Sequence, residues 1–135
     1  MKVISTFAKL LRLIINFKVF KLLNSFYYQG YLFEIGWICS YEHQKPLTKN
    51  GEPLPWVTYS FIDFIVGRLD NSMLLFEYGS GNSTLFYSKY VKRVISVEHD
   101  MEWYEHLVNI IPENVAIYHV QLDDGDRYAS FDASK

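Results

Sequence analysis

Three groups of residues in the second half of this 135-residue chain have types and spacing suited to holding a ligand. The first is the turn Glu77-Tyr78-Gly79-Ser80-Gly81, which closes the apolar run "MLLF" and precedes a segment of helix spacing. Glycine suits such a turn because a side chain would keep a ligand from touching backbone. A glycine-rich turn after a first strand is also the cofactor position of doubly wound folds. The second is Glu98, 19 residues after Gly79. That is near the ~20-residue spacing at which an acid in such folds accepts ribose hydroxyls, and it can accept both. The third is the acid cluster Asp123, Asp124 and Asp126, placed where a carboxylate could reach an adenine amino group.

The turn also excludes ligands. No Gly-x-x-x-x-Gly-Lys-Ser/Thr is present, so a nucleoside triphosphate site has no support. The dinucleotide fingerprint Gly-x-Gly-x-x-Gly is two-thirds met, with Gly79 and Gly81 in place and Thr84 where the last glycine belongs. Glu77, two residues before Gly79, is unfavourable beside an anionic pyrophosphate and welcome beside a cation. A cationic ligand carrying ribose and adenine satisfies all three acid positions, and S-adenosylmethionine is such a ligand.

The elements that must position these residues can be read from periodicity. "MLLFEY" reads as a central strand buried on both faces. "NSTLFYSKYV" reads as a short helix capped by Asn82 or Ser83, and "RVISVEHD" as a second strand. "DMEWYEHLVNII" reads as a helix with Asp100 at its cap and Glu102 and Glu105 in its first turn, where the helix dipole favours acids. Pro112 and Asn114 end it, and "NVAIYHVQL" is a third strand. Alternation of strand and helix implies an α/β, Rossmann-like parallel sheet with right-handed crossovers.

These residues resemble the class I S-adenosylmethionine-dependent methyltransferases, over about residues 54–128. The resembling stretch is "FEYGSGNSTLFYSKYVKRVISVEHDMEWYEHL", with "LDDGD" after the third strand. "PLPWVTYSFIDFI" looks like the lead-in of some bacterial members, where it covers the cofactor side. The resemblance implies that Glu77, Gly79, Ser80 and Gly81 pack on the methionine end of the cofactor, and that Glu98 binds ribose. It implies His99 near adenine and either Asp123 or Asp124 on the adenine amino group. It further implies methyl transfer to an acceptor the sequence does not identify, with a small-molecule or glycan hydroxyl as the suggested class. The family's sheet has seven strands and this chain supplies three. The expectation is therefore a fragment of a longer enzyme, or a cover over the open strand at 73–78, by a second copy in a homodimer or by the N-terminal helix folded across it. Two alternatives stand beside it: a non-catalytic membrane- or partner-binding module on a Rossmann-like scaffold, and a nicotinamide-dependent oxidoreductase fragment.

Ahead of this region the chain has a different character. All 15 acids fall after residue 33, whereas Lys2, Lys9, Arg12, Lys18 and Lys21 precede it. The remainder is acidic, which argues against a nucleic-acid partner. "MKVISTFAKLLRLIINF" reads as an amphipathic helix with Val3, Ile4, Phe7, Leu10, Leu11, Ile14 and Ile15 on one side. The phase breaks from Phe17 onward, which predicts a kink or a second helix near residues 16–18. Charges interrupt every run short of the ~18 apolar residues of a membrane span. Residues 2–23 suit peripheral contact with an anionic membrane surface; docking on the chain's own domain or on a partner subunit is the alternative.

Residues 43–58, with three of the four prolines and an Asn-Gly pair, read as a loop. "TYSFIDFIVGRL" reads as a helix with Thr58 as N-cap. The organisation expected is thus a basic helical region over 1–30, a loop and helical lead-in over 31–70, and a partial cofactor-binding domain over 71–135. A single cysteine, Cys39, excludes an internal disulfide and a cysteine-based zinc site, and fits a cytoplasmic location, peripheral at the membrane if the first helix docks there. His99, His106 and His119 form no metal set by spacing, so no metal is expected.

Overall fold

The computed structural model describes residues 8, 9, 11, 12 and 16–122. The expectations for Asp123, Asp124 and Asp126, and for most of the opening helix, lie outside the described residues. The chain divides into two compact units, residues 1–52 and 53–135. The division falls inside the proline-rich loop read from the sequence.

In the first unit, Ala8, Lys9, Leu11 and Arg12 are helical. Asn16 leaves the helical region (φ −82°, ψ 82°) and its side chain accepts the Val19 N–H, which starts helix α1, Phe17–Tyr28. The phase break near residues 16–18 is therefore a cap and a new helix start. Short helices α2 (Tyr31–Glu34) and α3 (Trp37–His43) follow. Gly36 joins them with φ +86°, and a Cβ there would lie 2.2 Å from the Leu47 carbonyl oxygen. Only glycine lets the returning loop approach so closely. Ser40 locks the approach: its Oγ accepts the Leu47 N–H at 2.9 Å and lies 2.8 Å from the Gly36 carbonyl oxygen. Leu47 is buried, while no side chain of α1, α2 or α3 is more than partly so.

The second unit begins with a loop and helix α4 (Tyr59–Val66), whose N-cap Thr58 accepts the Phe61 N–H as its sequence predicts. Strand β1 (Leu74–Tyr78), helix α5 (Asn82–Tyr87), strand β2 (Arg93–Glu98), helix α6 (Met101–Val108) and strand β3 (Val115–His119) then alternate. The strands form one parallel sheet in the order β1-β2-β3. This is a three-stranded parallel α/β arrangement of Rossmann-like kind. Asp100 caps α6 by accepting the Trp103 N–H, with Glu102 in the first turn.

Register places Leu75 beside Val94 and Val94 beside Val115, all on one face. That face carries one core cluster, where Val91, Val94 and Val115 pack with Leu69, Ile111 and Ile117, while Val97 is buried on the other. A neighbouring cluster of Leu54, Ile62 and Phe86 joins α4 to α5. Asn114 ties the sheet to α5 by donating to the carbonyls of Ser88 and Val91, at 2.9 and 3.2 Å. The expectation that "MLLFEY" is buried on both faces is corrected: β1 is an edge strand, and Leu74, Phe76 and Tyr78 are exposed on the opposite face. With one neighbouring strand, its apolar composition exceeds the cover supplied by the described residues.

Candidate functional site

The glycine turn grows directly out of the β1–β2 pairing. The Gly79 N–H donates to the Val97 carbonyl at 2.8 Å, one step beyond the end of β1. At Gly79 the backbone then takes φ +79°, a conformation that favours glycine. A Cβ built there meets nothing within 4 Å. Glycine is thus needed for the turn's conformation, and the same position leaves open space against the backbone.

Ser80 is held from three directions. Its N–H donates to Glu98 Oε2 at 2.9 Å, its hydroxyl lies 2.7 Å from that of Ser96, and its carbonyl accepts the Trp103 indole N–H at 2.7 Å. The Ser96 hydroxyl also reaches the Gly79 carbonyl at 3.1 Å. Helix α5 starts at Asn82 with Gly81 as its N-cap, which corrects the expected Asn82 or Ser83 cap. Gly81 has no side chain to offer; instead its N–H donates to Thr84 Oγ1 at 2.9 Å. Thr84 is fully buried beneath the helix start, in the place of the dinucleotide fingerprint's last glycine.

Glu98, 4% exposed, binds the turn to the β2–α6 connection. Its Oε2 accepts Ser80 N–H, and its Oε1 accepts the N–H groups of His99 and Asp100 at 2.8 and 2.9 Å. His99 Nδ1 lies 3.1 Å from the same Oε1, while the His99 ring is half-exposed. A carboxylate offers about four acceptor positions. Backbone N–H groups take three and His99 Nδ1 also faces Oε1, so the position left is on Oε2, room for one hydroxyl rather than a pair. The His99 carbonyl lies 3.1 Å from His119 Nε2, which ties the end of β3 to the same connection.

Glu77 is the contrasting acid. Register sets it beside Ser96, and it is half-buried near the hydroxyls of Ser83, Thr84 and Ser96. Burial pushes its pKa up, and the three hydroxyls oppose this without cancelling it. Its Oε1 is buried with no hydrogen-bond partner. Buried polar atoms in folded proteins are nearly always paired, so an orphan points to a missing partner. Glu77 lines an open cleft of about 450 Å³ with the rings of Trp56, Phe61, Phe76 and Tyr87. Burial and the Glu77 charge together push the Tyr87 pKa up.

The structure thus brings Glu77, Gly79, Ser80, Gly81, Glu98 and His99 to one end of the sheet. It also recruits residues the sequence reading passed over. Ser96 is a fully buried hydroxyl in a β-branched strand, and that mismatch was a usable signal. Trp103 anchors the Ser80 carbonyl from a turn of α6 that spacing alone does not connect to the loop. Among the described residues no group of three His, Cys, Asp or Glu side chains is arranged to hold a metal.

Compared with models of known protein families, the chain matches none. A search of curated proteins finds no relative.

A cationic adenosyl ligand suits this donor set in two respects. The orphaned Glu77 oxygen matches a positive group, and the open side of Gly79 admits close approach to backbone. Glu98 suits it in part, with one acceptor position where a ribose diol would use two.

Proposed function

We propose that the second unit binds S-adenosylmethionine and is the cofactor-binding portion of a methyltransferase. The observation that carries the proposal is the buried, unpartnered Oε1 of Glu77 beside a glycine turn whose outer side is open. A desolvated carboxylate repels pyrophosphate and attracts a cation. That favours an adenosyl sulfonium over a dinucleotide, and it agrees with the resemblance of the turn and of Glu98. When bound, the cofactor supplies an electrophilic methyl group on a sulfonium. Glu77 then offers the positive end a charge, Gly79 lets backbone approach, and Glu98 takes one hydroxyl at its remaining acceptor position. Ser80, Ser96 and Trp103 hold the turn in place so that binding requires little ordering of backbone. The acceptor proposed by resemblance is a small-molecule or glycan hydroxyl.

The test is calorimetric titration of the chain with S-adenosylmethionine and, separately, with NAD. Wild type is expected to bind the sulfonium ligand and not NAD. Glu77→Gln keeps the shape and removes the charge, and is expected to weaken binding by about 1.5–3 kcal/mol, the range for hydrogen bonds to a charged group. That is roughly ten- to a hundred-fold in Kd. A folded chain that takes up neither ligand overturns the proposal, and tighter binding of NAD would favour the oxidoreductase alternative.

A further inference from the structure

The first unit poses a separate problem. Helix α1 is apolar on one side at about 100° per residue, with Val19, Phe20, Leu23, Phe26 and Tyr27 together. Yet Phe20, Leu23, Phe26 and Tyr27 are all exposed, and α1 buries none of its side chains. A shallow cleft of about 420 Å³ runs along this side between Phe20, Leu23, Asn24, Tyr27 and Tyr28. On α3, Trp37 and Tyr41 stack with ring centroids 5.7 Å apart and are exposed as well. Exposed apolar side chains grouped in this way mark a contact site.

Charge selects the occupant. Lys18 and Lys21 stand on the opposite side of α1, with Lys9 and Arg12 preceding them and no acid before Glu34. Lys21 also sets its ammonium 5.0 Å from the centre of the Phe17 ring. An apolar aromatic face backed by lysines is the composition of a helix lying in the headgroup region of an anionic bilayer. Tyrosine and tryptophan rings suit that depth because one end is apolar and the other wet. No helix among the described residues is long and apolar enough to cross a membrane.

We propose that α1, with the Trp37–Tyr41 pair of α3, is a docking surface for an anionic lipid membrane, lying on it rather than crossing it. This is independent of the cofactor reading, since it uses none of the residues around the glycine turn.

The experiment is co-sedimentation of the full chain with vesicles of phosphatidylcholine alone and of phosphatidylcholine with phosphatidylserine, at low and raised salt. Binding is expected on the anionic vesicles and is expected to weaken with salt. Lys18→Gln and Lys21→Gln are each expected to weaken it about five-fold. Phe20→Glu with Leu23→Glu is expected to weaken it at least about ten-fold, with an unchanged circular dichroism spectrum. Absence of binding to either vesicle overturns the proposal, as does binding indifferent to lipid charge and salt. Sedimentation velocity supplies the remaining outcome: a dimer that Phe20→Glu with Leu23→Glu dissociates, without vesicle binding, assigns the surface to a second copy and overturns the membrane assignment.

Discussion

The two units of this chain spend their apolar residues in opposite ways. In residues 53–135, Val94, Val97, Thr84 and Ser96 are fully buried and Leu107 is 1% exposed. In the first unit, α1 carries a full apolar side, but Leu23 is 52% exposed and no residue of the helix is buried. Apolar composition alone therefore says little about where stability resides. Parallel strand pairing gives the second unit a surface on which side chains accumulate from several elements. The first unit is held instead largely by polar contacts: Gly36 lets the loop at Leu47 pass over the start of α3, Lys49 pairs with Glu34, and the Tyr27 hydroxyl donates to Glu42.

The sharpest way to break this comparison is to truncate one leucine in each unit. Leu107→Ala is expected to cost about 2–5 kcal/mol, the range for a buried leucine. Leu23→Ala is expected to stay within about 0.5 kcal/mol, as for surface positions. Urea unfolding of both variants checks the pair, and equal losses would mean that α1 is covered in solution.

A smaller loss is expected from Glu98→Ala. It removes the acceptor for three backbone N–H groups, of which those of His99 and Asp100 lie where water can replace it. The cost is expected to be about 1–3 kcal/mol, most of it from the Ser80 N–H left without an acceptor. Loss of stability without loss of adenosyl affinity would make Glu98 a clamp alone. Gly36→Ala puts a methyl group into the Leu47 carbonyl and an alanine at positive φ. The conformational part alone costs about 1–2 kcal/mol. Limited proteolysis is expected to open residues 28–52 while the second unit stays resistant, a pattern that tests whether the two units unfold separately.

The smallest effect, and the one of opposite sign, belongs to Glu77. Burial raises its folded pKa above the unfolded value, so between the two the folded state holds the extra proton. Stability is then greatest below the unfolded pKa and falls as pH rises through the folded one. Glu77→Gln is expected to flatten that fall, leaving the variant slightly more stable than wild type at neutral pH and no different in acid. Unfolding midpoints at two pH values measure it. A variant that is more stable and binds S-adenosylmethionine less well would show strain kept for a ligand.

Much of the second unit was legible because its signals are local. A capping side chain acts on an N–H three residues away, so Thr58 and Asp100 could be read directly. Strand and helix periods are equally local, and the parallel sheet followed from their alternation. The cap of α5 was misread because Gly81 has no side chain of its own, and the hydroxyl that compensates lies inside the helix at Thr84. Ser96 and Trp103 were missed because each acts on Ser80 across 16 and 23 residues of sequence.

The sequence by itself determined the order of the elements, the two helix caps, the glycine turn and the acids that flank it, since each is a matter of neighbours within a few residues. Only the tertiary structure decided what those two acids are. Strand register put Glu98 under three N–H donors and left one oxygen of Glu77 buried with none. Two glutamates indistinguishable in composition became a clamp and a half-satisfied acid, because hydrogen bonding and burial depend on what the fold brings alongside.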